Sequence, residues 1–323
     1  LFKNEIKINL VQVKHKRIYF TLLFYLLLNN CSKDIYIDEC STYDHLTTID
    51  TLKLNNKILI LGIDGFRSDA FQPNITPFIH SLSNKNTFLN LMHKTEEDTY
   101  SGPNWSSILT GVNFQKHGVD DNTFNGNFFK TYPSFFYYLE RNFQNINTAS
   151  IVNWDPINEN LLSSDVDFFS ENMSTDSLVF QFANDMLLNE NPFNADVIFV
   201  HFDELDAAGH AYGFSKEIFQ YRETLSTLDY YVNNLYNIIQ NKRAAGENWL
   251  FILVSDHGGD GFGHGDYNNP HIRNTVLLLE HPNMSFKQDK KTNQTDIAPT
   301  ILEFMGLSSS EFDCKKDGSS ILK

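Results

Sequence analysis

The sequence predicts an α/β fold, a mostly parallel central sheet covered by helices on both faces. Three observations carry this. Apolar runs of strand length recur at 57–63, 197–200, 250–254 and 275–279. A continuous apolar run of that length reads as a strand buried on both faces. Helix-like stretches separate the runs, clearest at Phe214–Lys242 and Asp296–Met305, and this alternation is the pattern of a parallel sheet. Finally, the first three runs end at or just before Asp64, His201 and Asp256-His257. The carboxyl ends of such strands are where open α/β sheets bind ligands.

The chain has ample material for such a core: 41% of its 323 residues are hydrophobic and 28 are Phe. Its net charge of −15, from 25 basic and 40 acidic residues, argues against duplex nucleic acid as a partner. It does not exclude small anionic substrates, because bound divalent cations reverse the sign locally.

At the start, Lys14, Lys16 and Arg17 precede an uncharged run from Ile18 to Leu28. This run is short for a membrane span and has the length of a signal-peptide core. Residues 1–31 are therefore expected to export the chain to a periplasmic, cell-surface or extracellular location. Asn29-Asn30-Cys31 resembles a bacterial lipid-attachment site, which implies membrane attachment through a lipidated Cys31, although the asparagines depart from the usual small residues. A polar tether follows over 32–56, and the catalytic domain is expected over 57–323. Cys40 and Cys314 are then either a disulfide tying the domain's two ends or free buried thiols.

Within the domain, the first run closes on Asp64-Gly65, which alone reads as an ordinary turn. Next comes Thr99-Tyr100-Ser101-Gly102-Pro103-Asn104, with Pro103 suited to the first turn of a helix continuing through Leu109. Ser101 just before that helix reads two ways: as its N-cap, or as a nucleophile favoured by the positive helix end. Asp206-Ala207-Ala208-Gly209-His210 puts a carboxylate and an imidazole on one face of a helical turn. Asp256-His257-Gly258-Gly259 follows a strand, and its glycines permit the irregular backbone that adjacent ligands need. His264 stands between glycines, where packing gives it little reason to exist; His271 competes for the same role. Together Asp64, Asp206, His210, Asp256, His257 and His264 supply three ligands for each of two divalent cations. The Asp/His mixture suits Zn2+ best, with manganese or iron also compatible.

In this order, and with Leu109-Thr110-Gly111, His117-Gly118-Val119 and Asp296-Ile297-Ala298-Pro299-Thr300 added, these segments resemble the alkaline-phosphatase superfamily, especially its nucleotide pyrophosphatase/phosphodiesterase branch. The resemblance covers roughly residues 57–307. It implies that Asp64, Asp256, His257 and the Ser101 oxygen hold one metal, and that Asp206, His210 and His264 hold the other. It assigns Asn104 a hydrogen bond to a phosphate oxygen and leaves His117 structural. The branch usually carries Thr where this chain has Ser101, and Trp105 stands where a sulfatase pattern requires Arg.

The implied reaction is metal-dependent hydrolysis of a phosphodiester or pyrophosphate, such as a nucleotide derivative, through a phosphoserine intermediate. The absence of an Arg beside Ser101 favours diesters over monoesters, although Arg67 or Arg273 is available from a distance. Two alternatives stand beside it: a phosphomonoesterase or phosphonate hydrolase of the same superfamily, and a non-enzymatic surface lipoprotein that binds a ligand.

Overall fold

The computed structural model describes residues 55–83, 87–191, 193–313 and 315–323. The export segment, nearly all of the tether, Cys31, Cys40 and Cys314 lie outside the described residues.

The four apolar runs are strands: β1 (Asn56–Ile63), β5 (Val197–Phe202), β6 (Asn248–Val254) and β7 (Asn274–Glu280). Three strands that the apolar pattern did not announce join them: β2 (Thr87–Lys94), β3 (Thr148–Val152) and the short β4 (Phe168–Phe169). The seven form one sheet in the order β2-β7-β6-β1-β5-β3-β4. Pairing is parallel from β6 through β4. It is antiparallel at β7 and β2.

Strand alternation divides the core into two layers. On one face Ile58, Ile60, Leu250 and Ile252 meet Trp105 and Ile108, and also Phe135, Leu139, Ile297 and Ile301. The helices on that face are α2 (Ser101–Thr110), α4 (Phe135–Asn142) and α9 (Ile297–Phe304). On the other face Leu59, Leu61, Phe251 and Leu253 meet Ile79, Val179, Leu205 and Tyr221. These belong to α1 (Pro77–Leu82), α5 (Asp176–Leu187), α6 (Glu204–Tyr212) and α7 (Phe219–Ala244). Two short helices, α3 (Phe114–His117) and α8 (Pro270–Arg273), complete the set used below.

Two expected helix boundaries move. The long helix starts at Phe219 and not Phe214, because Phe214 bridges Gly261 with a backbone hydrogen bond of 2.7 Å. Helix α2 begins at Ser101 itself; its N-cap is Tyr100, which makes no side-chain capping bond.

The register of the central strands positions the site. Gly62 of β1 lies opposite His201 of β5 on one side and Val254 of β6 on the other. Residues two further on, Asp64, Asp203 and Asp256, therefore emerge in one row at the carboxyl edge. Gly65, in the left-handed region at φ 71°, turns the chain away directly after Asp64.

Candidate metal centre

Asp64 is fully buried, and its two oxygens face different partners. Oδ2 accepts hydrogen bonds from Trp105 Nε1 at 2.9 Å and His201 Nε2 at 3.2 Å. Oδ1 has no hydrogen-bond partner and faces His257 Nε2 at 3.3 Å. A Cβ at position 62 would lie 2.5 Å from the Trp105 ring, so Gly62 is what lets the indole reach Asp64. Asp256 Oδ1 accepts the Gly65 N–H at 3.2 Å. Its Oδ2 is unpartnered, 3.3 Å from His257 Nε2. Asp206 Oδ1 is the third buried orphan.

Three carboxylates with no cationic side chain among them strain one another electrostatically. Burial works against the Asp64 charge, but the His201 hydrogen bond and the neighbouring His257 bring it down to about 2. Asp206 is pushed up to about 9 by burial, then by repulsion from Asp64 and Asp203. Asp256 is raised by burial and by Asp64 and Asp206. Such a cluster is relieved by positive charge at its centre.

The histidines are oriented to the same end. Each donates its Nδ1–H to a backbone carbonyl: His257 to Gly258 at 2.7 Å, His264 to Thr99 at 2.8 Å and His210 to Phe262 at 2.9 Å. A carbonyl only accepts, so the tautomer is set and each Nε2 lone pair points inward. His210 Nε2 and His264 Nε2 stand 3.2 Å apart. His210 Nε2 is 3.3 Å from Asp206 Oδ2, and His264 Nε2 is 4.0 Å from Asp206 Oδ1. Burial, then His257, brings His264 down to about 3, so its ring stays neutral. Facing lone pairs are unfavourable unless a cation lies between them. The donors of Asp64, Asp256 and His257 lie within 4.8 Å of one another, as do those of Asp206, His257 and His264. The donor set thus fits divalent cations by type, orientation and spacing.

All six ligand residues read from the sequence therefore converge, and so does Ser101. Its Oγ lies 3.2 Å from His257 Nε2. Ser101 is the first residue of α2 and not its cap, which corrects the capping alternative. His264 holds the position; His271 lies away from it, half-exposed and 3.9 Å from Asp69.

Asn104 is a correction. Its oxygen accepts the Glu96 N–H at 2.8 Å, and its amide donates to the Asp98 and Tyr100 carbonyls at 3.0 and 2.8 Å. Both amide hydrogens are spent on the loop before Ser101, so Asn104 shapes that loop and has none to offer a phosphate. Arg67 is also committed elsewhere, and Arg273 makes only peripheral contacts. Arg67 grips Asp69 and donates to the Phe214 and Gly259 carbonyls; Arg273 donates to Asn268 and stacks on Tyr267.

Several contributors escaped the sequence reading. Trp105 and His201 orient Asp64. Gln294 donates to the carbonyls of Ser255 and Asp256 at 3.2 and 2.5 Å, and accepts from His93 Nε2 at 2.7 Å, holding the ligand loop from behind. Asn122 accepts the Gly102 N–H at 2.8 Å, beside the nucleophile. Of these, only His201 carried a signal: a polar residue inside the buried run 197–202.

Comparison with known proteins agrees with this geometry. A 2,3-bisphosphoglycerate-independent phosphoglycerate mutase of Malacoplasma penetrans is 31% identical over 139 residues, 42% of this chain. The chain spans 25% of that relative's length. Among solved structures, murine ectonucleotide pyrophosphatase/phosphodiesterase 5, an inactive variant in complex with AMP, superposes with a TM-score of 0.64 at 14% identity. The match covers 83% of this chain and 100% of that one. A 2-O GAG sulfatase, BT1596, superposes with a TM-score of 0.64 at 11% identity, covering 82% of this chain and 73% of that one. These likenesses establish the alkaline-phosphatase-like fold. The type I phosphodiesterase/nucleotide pyrophosphatase family matches residues 58–141 and 137–298, nearly the whole described domain. The chain belongs to the type I phosphodiesterase/nucleotide pyrophosphatase family, a family of phosphoric ester hydrolases.

Proposed function

We propose that this chain hydrolyses phosphodiesters or pyrophosphates of the nucleotide type through a covalent intermediate on Ser101. Two divalent cations, for which zinc is best suited, are held by Asp64, Asp256 and His257 and by Asp206, His210 and His264. One observation carries the reading. The His257 and His264 lone pairs and three orphaned carboxylate oxygens cluster about His257 Nε2, 3.2 Å from the Ser101 hydroxyl, with His210 Nε2 3.2 Å from His264 Nε2. When bound, the cations lower the pKa of the nucleophile and neutralise charge on the entering and leaving oxygens.

The chain's own groups do the rest. Ser101 opens α2, so its backbone N–H and the positive end of the helix favour an incoming phosphate; the Gly102 N–H is held by Asn122 and the Asn104 N–H by the Tyr100 carbonyl. Its oxygen forms a bond to phosphorus as the bond to the leaving oxygen breaks, and its proton goes to solvent. Water then attacks the phosphoryl-Ser101, releasing the product and restoring the hydroxyl. Asn122, its oxygen taken by Gly102, keeps its amide hydrogens for a phosphate oxygen. The Arg67 guanidinium, taken up by Asp69 and two carbonyls, supports a diester, which carries one negative charge fewer than a monoester.

The test compares purified, zinc-loaded protein on bis(p-nitrophenyl) phosphate and p-nitrophenyl phosphate. The diester is expected to turn over faster, and Ser101→Ala to lower the rate by at least about 10³-fold while zinc still binds. A Ser101→Ala variant as active as the wild type refutes the nucleophile. A faster monoester favours the second reading, phosphomonoester chemistry, to which the mutase relative gives support. We also propose export directed by residues 1–31, which requires a processed chain outside the cytoplasm of the native host.

A further inference from the structure

Helix α6 carries Asp206 and His210, yet its own start is not self-sufficient. Its N-cap residue, Asp203, sits at φ −115°, ψ −22° and makes no side-chain capping bond. An Asp at this position ordinarily caps its own helix. Here the first N–H groups are satisfied from another element. Asp176 Oδ1 accepts the Asp203 N–H at 2.9 Å, and Asp176 Oδ2 accepts the Glu204 N–H at 3.0 Å.

Asp176 has no such duty in its own helix, α5, where Thr175 is the cap and accepts from Leu178 at 3.3 Å. It is fully buried, and its Oδ1 accepts a further bond from Asn153 Nδ2 at 2.8 Å. Asn153 in turn donates its backbone N–H to the His201 carbonyl at 3.2 Å. The carboxylate is thereby tied to the ends of β3 and β5. Val179, Ala183, Met186 and Leu187 bury α5 itself in the core. The clamp is rigid on its supporting side.

With its capping task taken over, the Asp203 carboxylate is free to turn inward. It lies with donors of Asp64 and His201 inside a 4.8 Å group.

We propose that Asp176 is the positioning residue of the second cation site: it caps α6 from outside, holds Asp206 and His210 against His264, and releases Asp203 to face the centre. This rests on the two-cation reading above. Without the carboxylate, two N–H groups at the head of α6 lose their acceptor, and the nearest replacement is the Asp203 side chain itself. Asp203 would then fold back onto its own helix, and Asp206, one turn on, would shift with the first turn.

Asp176→Asn is the discriminating variant, because it keeps the shape but sets an NH₂ against one of the two N–H donors. Zinc is titrated calorimetrically into full-length metal-free protein, with the rate on bis(p-nitrophenyl) phosphate measured at limiting and saturating zinc. The wild type is expected to take two ions per chain. The variant should keep one ion at near wild-type affinity and bind the other about 10- to 100-fold more weakly. Its rate should recover at saturating zinc. Amide hydrogen exchange at Asp203 and Glu204, measured without metal, should be faster than in the wild type.

Unchanged affinity for both ions with unchanged exchange overturns the proposal. Equal weakening of both ions, with no rescue by zinc, also overturns it, because that is the mark of general destabilisation. Should Asp176→Asn fail to fold, Asn153→Ala keeps the carboxylate while loosening it. The expected effect is about 3- to 10-fold on one ion, and no effect overturns the proposal. A wild type that binds fewer than two ions sinks the two-cation reading, while exchange at Asp203 and Glu204 still decides whether Asp176 holds α6.

Discussion

Trp105→Phe isolates one hydrogen bond to the candidate metal centre. The indole Nε1–H lies 2.9 Å from Asp64 Oδ2, and both groups are shielded from solvent. A hydrogen bond to a charged group contributes about 1.5–3 kcal/mol. His201 remains on the same oxygen at 3.2 Å, so the loss falls toward the lower end, about 1.5 kcal/mol or roughly tenfold in affinity. The sign follows from Asp64. Trp105 is one of the groups that bring the Asp64 pKa down to about 2, after His201 and His257, but the orientation matters more: without the indole the carboxylate is free to rotate away from His257. Phe keeps a ring to pack on Phe199 and His201, whose centroids lie 5.7 and 4.8 Å from the indole. The smaller ring leaves a void that costs stability in metal-free and metal-loaded protein alike, so thermal melting of the metal-free form provides the correction. The assay is competition for zinc against a chelator of known affinity, followed by kcat on bis(p-nitrophenyl) phosphate. Zinc affinity within twofold of wild type, with kcat unchanged, would refute the reasoning and leave Trp105 as core filler.

Two further outcomes are expected. Chelation should abolish hydrolysis and lower the melting temperature, since the free energy of metal binding to the folded chain is lost; zinc added in excess of chelator restores both, and a chelated protein that melts unchanged counts against a metal centre. Lys316 is partly buried at the carboxyl end of α2, donating to the Thr110 carbonyl with its ammonium 4.4 Å above the Tyr138 ring. Burial pushes it down to about 7 from 10.5. Between those values the unfolded chain binds the extra proton, so the Lys316 contribution makes stability rise with pH. Urea unfolding at pH 7 and 9 should show a steeper rise for the wild type than for Lys316→Met, and equal slopes would contradict it.

The sheet was legible where strands were buried on both faces. The apolar runs at 57–63, 197–200, 250–254 and 275–279 correspond to four strands, each extended by one or a few residues. β2 and β3 were hidden because they carry Asn90, His93, Thr148 and Ser150, polar residues whose partners lie outside their own strands, such as Thr292 for Asn90 and Asn158 for Ser150. In the site, the six ligand residues stood out because carboxylates and imidazoles beside glycines have little packing role. Their supports did not. Trp105 looks like any buried aromatic, and Asp176 looks like an ordinary first-turn acid of α5, since its partners lie 27 and 28 positions away. Asn104 failed for the converse reason: it lies near Ser101, but hydrogen-bond accounting leaves its amide no free hydrogen.

The shared phase of β1, β5 and β6 has a bearing on how the chain reaches its native state. A parallel sheet assembled from distant segments forms late and slowly, and a slip of one residue in any central strand would send its aspartate to the opposite face. Correct register is therefore a precondition for the carboxylate row at Asp64, Asp203 and Asp256. A cation that requires the row binds only correctly registered chains, and at about a thousand times its Kd it favours them by about 4 kcal/mol. On the two-cation reading, metal present during refolding should raise the yield of native protein over misregistered forms.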